Sequence, residues 1–521
     1  MIPAGYTCPF AGALLYVVSS GGTVGSANSA NANARLMAAL GPCNAVVAGT
    51  QYVLSEATSV AAAYSLAQFY TGGSVGATLT NLSGLTNAFA TAATLADPVT
   101  GATPGSSMPA NAVSPAARIN AVANIVNACL VSSSACASFF SATTVTTVPT
   151  NTLDALFNLV RQPTTHVSTL YGQSLLSTAY APALTAQPTD WTMFVNYSGG
   201  GMNSPSGIGV DTKGNVWVAN YFYVASRFSP IGTPAFASGI TGDGLNNSYG
   251  LAVDLSDNAW IPNEQPYQSS GSIGSVTELS SSGVPLSGAY GYIGGGLDYP
   301  LAVAIDPDGT VWVVDYGNSY LSILNTLGTP LYGAVGFTTP LFAFPVAVAV
   351  DGNHFAWTGN QSSNSITKVS PDGSSFTNFV TGEGPAGIAV DQIDNIWTAN
   401  YYDNNVTCLT NAGGLAGNYT ALGAIERPQG IAVDGSGSVW VANYREPYLN
   451  ELAGAGTTAP GSSLSPAAGI GGDAGLLEAY AMAIDASGDI WVTNQGNSTL
   501  TKFIGLATPV KTPLSGLPKV P

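Results

Sequence analysis

The chain has 521 residues, of which 7% are charged, and its formal net charge is −17, with a sequence pI near 4.1. This balance excludes nucleic acid as a partner, because phosphates require clusters of Lys and Arg that the sequence lacks. The length requires more than one domain, and no apolar run reaches the roughly 18 residues of a membrane span.

The first apolar stretch, Phe10–Val18 (FAGALLYVV), predicts a buried strand. Its length would also suit the apolar segment of an export signal, but no Lys or Arg precedes it and no clear cleavage site follows. The scarcity of charge, with no lysine before Lys213, favours a protein that works outside the cell. We therefore expect an extracellular or cell-surface location, with any export signal upstream of this sequence.

Residues 1–185 have Ala-rich helical periodicity and predict an α-helical domain. Ser114 precedes Pro115, which pairs an N-cap with proline at the first helical position. Thr150 or Asn151 caps a later helix. The predicted helices are Ala30–Leu40, Ser55–Tyr70, Asn81–Ala96, Ser114–Val131 and Asn151–Arg161.

Four cysteines lie in this helical domain, and an even number in an exported chain predicts two disulfides. Cys129 and Cys136 flank a short Ser-rich turn, which favours a local bridge and leaves Cys8 with Cys43. Four cysteines allow three connectivities, and the alternative is that all four are buried thiols. The fifth, Cys408, is expected in the core of a strand.

Beyond a predicted linker at residues 186–190, a phrase of fourteen residues occurs seven times. Every copy has Asp in its fifth place, Trp in its eleventh and Asn or Asp in its last. The copies recur at intervals of roughly 40 to 50 residues, which is typical of propellers and solenoids. They are GIGVDTKGNVWVAN (207–220), GLAVDLSDNAWIPN (250–263), AVAIDPDGTVWVVD (302–315), AVAVDGNHFAWTGN (347–360), GIAVDQIDNIWTAN (387–400), GIAVDGSGSVWVAN (430–443) and AMAIDASGDIWVTN (481–494).

Each phrase predicts a β-hairpin, because a β-branched run is followed by a turn of the type Asp-x-x-Gly-Asn and by a second apolar run. Gly or Ala in the first and third places suits an innermost strand, where neighbouring blades converge. The Trp can fill the wider space between blades. Residues 191–521 are therefore predicted to form an all-β, seven-bladed β-propeller, with four-stranded antiparallel blades around a channel.

A propeller closes when one end of the chain completes its last blade. Trp191–Tyr197 (WTMFVNY) precedes the first phrase as Phe376–Val380 precedes the fifth, which is the position of an outermost strand. We therefore expect Trp191–Tyr197 to complete the seventh blade. The C-terminal segment Thr508–Leu514 is the competing candidate.

The phrase resembles NHL-type repeats and their relatives, the virginiamycin B lyase-like and gluconolactonase-like propellers. The helical domain resembles the segment that precedes such repeats in uncharacterised exported bacterial proteins. Propellers of this group include enzymes and binding modules, so the resemblance implies the fold without choosing an activity. Proline lies two residues ahead of five copies, at Pro205, Pro300, Pro345, Pro385 and Pro428.

The resemblance also implies where an enzyme of this group would carry its chemistry. The lyase-like relatives use histidines on the binding face, whereas the histidines here are His166, in the helical domain, and His354, in a hairpin turn on the opposite face. Gluconolactonase-like propellers hold a divalent metal with Glu, Asn and Asp at the channel mouth. The residues that could take that role are Glu264, Asp315, Asn400 and Asn443.

The loops that follow the phrases share one face of the propeller and are rich in Tyr and Asn. Tyrosine offers flat apolar surface, and the amides and carboxylates offer paired donors and acceptors, a combination that suits sugar rings or peptide backbone. The alternative is that each terminal Asn caps its turn and the tyrosines cover the blade rim. The densest group, our predicted ligand site, is Tyr401, Tyr402, Tyr444, Tyr448, Asn400, Asp403 and Asn443.

These observations favour a secreted or cell-surface monomer that binds a glycan or a protein through the Tyr/Asn-rich face. No catalytic residue, cofactor or metal is expected. Asp306 and Asp308 come closest to a calcium-binding pattern, but turn capping is the preferred interpretation. The alternative function is that of a metal-dependent propeller enzyme, either a lyase or a lactone hydrolase.

Overall fold

The computed structural model describes residues 6–10, 12–22, 31–47, 49–265, 274–333 and 335–521. The chain divides into two compact units. The first comprises Met1–Asn196, Ser487–Asp489 and Phe503–Ala507, and the second comprises Tyr197–Ala486, Ile490–Lys502 and Thr508–Pro521. We call the second the propeller unit, because it contains all seven phrases.

The first unit begins with an antiparallel hairpin of Leu14–Ser20 and Arg35–Pro42, and two further short strands, Tyr70–Thr71 and Ser74–Val75, pair with each other. Among the described residues, no helix has the length and apolar character needed to cross a membrane. The α-helices are Glu56–Ser65, Leu82–Leu95, Ala116–Val131, Ser133–Ala142, Thr152–Arg161 and Val167–Ser174. The 3-10 turns are Cys43–Ala45, Ala67–Phe69 and Leu79–Asn81, and Ala112–Val113 is a short strand.

Four of the five predicted helices are confirmed, and each is shorter than its prediction, most of all the first, which ends at Ser65 and is followed by the 3-10 turn Ala67–Phe69. Their caps explain where they begin. Ser55 and Thr58 form a capping box, and the Asn151 side chain accepts from the Asp154 N–H. The third helix begins one residue later than its cap signal indicated, with Pro115 at the N-cap position. Two short helices, Ser133–Ala142 and Val167–Ser174, were not predicted.

The predicted helix Ala30–Leu40 is wrong, because Arg35–Pro42 is a strand paired with Leu14–Ser20. Tertiary contacts override its alanine-rich helical propensity. The Met37 N–H donates to Ser59 Oγ at 2.9 Å, and Met37 O accepts from Thr58 Oγ1 at 3.2 Å. The strand expected in Phe10–Val18 is present as Leu14–Ser20, half-buried rather than buried.

Both predicted disulfides are present. Cys8 is bonded to Cys43, and Cys129 is bonded to Cys136. The first bridge ties the segment before the hairpin to the 3-10 turn after it, and the second joins two consecutive helices. Cys408 is a buried free thiol, as expected.

The seven phrases form seven antiparallel sheets, one per blade, which confirms the predicted propeller. Blades two and six have three strands, and isolated bridges such as Val276–Tyr292 and Leu449–Ile470 take the place of a fourth strand. The strands of blades one to three are Pro205–Val210, Val216–Asn220, Val224–Phe228 and Ile240–Thr241, then Ala252–Val253, Ala259–Asn263 and Ser275–Leu279, then Pro300–Ile305, Val311–Asp315, Tyr320–Leu324 and Phe337–Thr338.

The remaining blades repeat the pattern, and blade five is followed by a 3-10 turn at Ala421–Gly423. Blade four has Pro345–Val350, Ala356–Asn360, Ser365–Val369 and Phe376–Val380, and blade five has Pro385–Val390, Ile396–Asn400, Asn405–Leu409 and Leu415–Tyr419. Blade six has Pro428–Val433, Val439–Asn443 and Leu449–Leu452, and blade seven has Ala479–Ile484, Ile490–Asn494 and Thr499–Phe503.

Phe194–Tyr197 is a short strand ahead of the first phrase, and its last residue, Tyr197, belongs to the propeller unit. Within that unit, the Tyr197 ring stacks on Trp491 with 5.7 Å between centroids. Closure of the ring by Trp191–Tyr197 stays a prediction, which this stack favours. The competing segment, Thr508–Leu514, forms no strand of the seventh sheet.

The invariant Asp and Trp of the phrase are joined by a hydrogen bond that fixes the hairpin. In five copies the indole N–H donates to the Asp carboxylate, for example from Trp357 to Asp351 at 2.9 Å and from Trp397 to Asp391 at 3.0 Å. The same carboxylate accepts backbone N–H groups of the turn, such as that of Ile393. All seven tryptophans are at most 1% exposed, so each buries a large apolar surface between blades.

The small residues of the phrase lie where innermost strands of neighbouring blades meet. A Cβ added to Gly207 would come within 2.5 Å of the Gly250 backbone, and one added to Gly387 would come within 2.5 Å of the Gln429 carbonyl. These distances are too short for any side chain. The glycines therefore permit the blades to converge and form a narrow channel.

Candidate functional site

The channel wall is built from the second and fourth places of each phrase. Strand side chains alternate between faces, so the small first and third places contact the next blade while the second and fourth point into the channel. The second places form one aliphatic ring: Ile208, Leu251, Val303, Val348, Ile388, Ile431 and Met482. The fourth places form another: Val210, Val253, Ile305, Val350, Val390, Val433 and Ile484.

The C-terminal segment lines one end of this channel. Val510, Thr512 and Leu514 line a cavity of about 200 Å³ together with the two aliphatic rings. Thr512 Oγ1 donates to Asp211 O at 2.8 Å, and the Val510 N–H donates to Asp485 O at 3.1 Å. Because these partners are at the hairpin turns, the segment covers the hairpin-turn face and leaves the loop face as the entrance.

The entrance on the loop face is a polar cavity of about 490 Å³, which we call the channel mouth. Its wall consists of residues just before and just after the phrases, where the chain enters and leaves the two innermost strands. Small and aliphatic residues line its base. The side chains that bring polar groups to it are Tyr249, Glu264, Tyr316, Gln361, Gln429 and Tyr480.

Aromatic rings continue from the mouth into the surrounding loops. The Tyr249 ring is 5.2 Å from that of Tyr221 and 6.2 Å from that of Tyr480, measured between centroids. Burial raises the pKa of Tyr249 and of Tyr480, so both hydroxyls are neutral at physiological pH. They can donate hydrogen bonds, while the rings provide apolar surface.

Glu264 is the only carboxylate among the described residues that line the mouth. It is half-buried, and the Asn247 amide donates to its Oε2 at 3.3 Å. Burial raises the pKa of the Glu264 carboxyl, although the Asn247 hydrogen bond opposes that shift. The site thus holds a carboxylate whose charged form is poorly solvated.

The tyrosines of the predicted ligand site lie on the loops of blades five and six. The Tyr401 ring centroid is 5.2 Å from that of Tyr402 and 6.0 Å from that of Tyr444. Both pairs of rings meet edge to face. Tyr402 is 60% exposed, whereas the Tyr448 hydroxyl donates to Ala424 O at 3.1 Å. Three of the four tyrosines therefore form one cluster, in which Tyr402 is exposed and Tyr401 and Tyr444 are half-buried. Tyr448 is held against its blade.

The polar residues of the predicted site are arranged differently. Asn400 and Asn443 are fully buried, and their amides donate to Thr407 Oγ1 at 2.8 Å and Asn450 Oδ1 at 2.8 Å. They stabilise their blades and do not reach the surface. Asp403 is exposed, and its carboxylate accepts from the Glu383 N–H at 2.8 Å.

Sequence reasoning missed the importance of the residue just before each phrase. Tyr249, Gln429 and Tyr480 all occupy that place, and all three line the mouth. The sequence does contain a signal for this site. Tyrosine occupies this place in two copies and Gln429 in a third, whereas the other four copies have Ser206, Leu301, Val346 and Ala386. The predicted tyrosines border this group, since Tyr444 and Tyr401 are both close enough to influence the pKa of Tyr480.

The residues considered for a gluconolactonase-like metal site do not converge. Glu264 lines the mouth, but Asp315, Asn400 and Asn443 are fully buried. Asp315 accepts from Ser322 Oγ at 2.6 Å within its own blade. The structure does not bring these four side chains into one set of ligands.

In the described part of the chain, one group of three acidic or imidazole side chains has ligand atoms within 4.8 Å of one another. It comprises Asp306, Asp308 and His354. His354 Nδ1 is 2.6 Å from Asp306 Oδ1, and the Asp308 carboxylate accepts from the Thr310 N–H. A capped turn and a His–Asp ion pair, both on the hairpin-turn face, therefore explain why these three side chains lie close together.

No known protein family matches this chain, and no curated protein matches it. Its structure is similar to several solved structures at low identity. A streptogramin B lyase matches with a TM-score of 0.46 and 16% identity over 59% of this chain and 97% of that chain. Virginiamycin B lyase from Staphylococcus aureus matches with a TM-score of 0.46 and 17% identity, over 60% and 99%. The WD40 β-propeller domain of Doa1 matches with a TM-score of 0.44 and 10% identity, over 60% and 97%.

Proposed function

We propose that this protein is a binding module that recognises a glycan at the channel mouth and on the adjoining Tyr401, Tyr402 and Tyr444 cluster. The observation that supports this proposal is the mouth itself. It is a concave cavity of about 490 Å³ whose wall combines tyrosine rings with amide and carboxylate groups. Sugar rings present apolar faces and several hydroxyls, and this wall complements both.

The shape of the mouth favours a glycan over a folded protein. Stable protein–protein interfaces bury roughly 800 Å² on each partner and are broad. The mouth is a cavity within the range of roughly 300 to 1,000 Å³ that is typical of small-ligand sites. A sugar unit can enter it while the rest of the chain lies across the tyrosine cluster.

The first experiment is a glycan-array screen of the purified full chain, followed by affinity measurements on the glycans that bind. Tyr402→Ala and Tyr444→Ala should each weaken binding at least about tenfold, because binding energy concentrates in a few aromatic anchors. Tyr290, an exposed tyrosine that does not line the mouth, supplies the matched control Tyr290→Ala. His354→Ala, on the hairpin-turn face, should also leave affinity unchanged.

Circular dichroism and melting temperature show whether each variant is folded. The proposal is wrong if the two tyrosine variants unfold without a specific binding defect, since the rings would then be rim packing. It is also wrong if no glycan binds and a protein partner is captured on this face.

The proposal places the protein outside the cell or on its surface. Its support is the pair of disulfides, Cys8–Cys43 and Cys129–Cys136, since such bonds persist in oxidising compartments. A glycan-binding module in that location would meet its ligand directly.

A further inference from the structure

We infer that the ligand of the channel mouth carries a positively charged amine, an inference that rests on the proposed function and specifies its ligand class. Within glycans this class is the amino sugars with a free amine. Glu264 would accept the ammonium group, and the faces of Tyr249 and Tyr480 would surround it.

The first support is the situation of Glu264. It lines the mouth, it is half-buried, and the ion pairs found among the described residues do not include it. Residues 266–273, which follow it in the sequence, contain no Lys or Arg. A carboxylate that is removed from water without a cationic partner gains most from a ligand that supplies the cation.

The second support is the arrangement of tyrosines around the same cavity. Tyr249, Tyr316 and Tyr480 all line it, and the Tyr249 and Tyr480 rings are 6.2 Å apart between centroids with an interplanar angle of 35°. Glu264 is near enough to contribute to the raised pKa of Tyr249. Cations are attracted to the faces of aromatic rings within roughly 6 Å, so a ring set beside a carboxylate favours an ammonium group.

The third support is that none of the described residues that line the mouth is Lys or Arg. Arg427, on the loop face, lies over the Tyr401 ring at 5.4 Å from its centroid. The formal net charge of −17 also attracts cationic ligands rather than anionic ones.

The test uses a tetramer of glucosamine and its fully N-acetylated counterpart as probes, because acetylation removes the charge while keeping the sugar. Binding to the full chain is measured by calorimetry at about pH 6, where the free amines are protonated. The charged tetramer should bind at least about tenfold more tightly, and added salt should reduce the difference.

Variants then assign the preference to Glu264. Glu264→Gln keeps the shape of the side chain and should reduce the preference for the charged tetramer to less than about twofold. Glu383→Gln is the matched control, since Glu383 is an exposed carboxylate of the same face that does not line the mouth. It should leave the preference intact.

Equal affinity for the two tetramers, or tighter binding of the acetylated one, would overturn the inference and leave the proposed function standing. Binding of neither tetramer would overturn this inference, and failure of the wider glycan array would overturn the function as well. Because the comparison between tetramers uses the unaltered protein, it decides the matter even if a variant does not fold.

Discussion

Trp397 and Trp312 occupy the same place in two copies of the phrase but differ in the partner of the indole N–H. Trp397 donates to Asp391 at 3.0 Å, whereas the Trp312 N–H has no partner among the described groups. In the copy that contains Trp312, Asp306 Oδ1 is hydrogen-bonded to His354 Nδ1.

This difference predicts unequal costs for the same mutation. Trp397→Phe and Trp312→Phe create similar cavities, but only the first removes a buried hydrogen bond. Trp397→Phe should therefore lower the free energy of unfolding by about 1 to 2 kcal/mol more than Trp312→Phe. Melting temperatures by calorimetry would measure the difference, and equal losses would show that the Asp–Trp bond contributes little.

The His354–Asp306 pair predicts a pH-dependent contribution to stability. The hydrogen bond to Asp306 is the largest cause that raises the pKa of His354. Burial outweighs that same bond at Asp306 and raises the pKa of its carboxyl as well. A raised histidine pKa stabilises the folded state below the unfolded pKa of about 6.5, and the effect is lost as pH rises through the folded pKa.

The measurement compares the wild type with His354→Asn at several pH values. Asn is chosen because His354 has a φ of 66°, a conformation that Asn tolerates well. The melting temperature of the wild type should exceed that of His354→Asn by more near pH 6 than near pH 9. Asp306→Asn should reduce this pH-dependent difference more than Asp308→Asn does. A constant difference across this range would contradict the ion pair.

At the scale of strands, we predict that closure of the ring depends on a segment that precedes the first phrase. Tyr197, the last residue of the strand Phe194–Tyr197, packs on Trp491. Without that strand, the last blade would lose this aromatic packing. The linker boundary at residues 186–190 remains a prediction.

Two truncations test this closure. Removal of residues 1–197 should lower the melting temperature of the propeller by several degrees relative to removal of residues 1–185, because only the longer truncation removes the closing strand. Differential scanning calorimetry of the two chains gives the comparison. Equal melting temperatures would mean that the strand contributes nothing to the ring.

The same element scale explains the one strand that sequence reasoning mistook for a helix. Arg35–Pro42 is rich in Ala and Leu, which favour helices locally. Its pairing with Leu14–Ser20 and its contacts with the Glu56–Ser65 helix are tertiary. Propensity is a weak prior, and these contacts outweigh it.

At the scale of the whole chain, the cysteines give a direct test of the expected compartment. Thiol labelling of the denatured, unreduced protein should find about one free cysteine, Cys408. The native protein should label far more slowly, because Cys408 is buried and burial raises its pKa to about 12. Five labelled thiols in protein recovered from an oxidising compartment would remove the argument for an extracellular location.

The propeller unit is also asymmetric along its channel. The segment from Val510 to Pro518 lines the end at the hairpin turns, while the opposite end opens into the polar mouth. Under the proposed function, the ligand would therefore enter from the loop face, on which both the predicted tyrosine cluster and the mouth lie.

The number of blades, the hairpin in each phrase and the buried Trp were all determined by the sequence alone, because each depends on residues close together in the chain. The pairing Cys129–Cys136 followed from similar local spacing, and Cys8–Cys43 was the pairing that it left. Only the tertiary structure decided that Tyr249, Glu264 and Tyr480 share one cavity, that Asn400 and Asn443 face inward, and that the C-terminal segment lines one end of the channel. Those facts depend on residues from different blades, and their meeting is set by how the ring closes rather than by any local pattern.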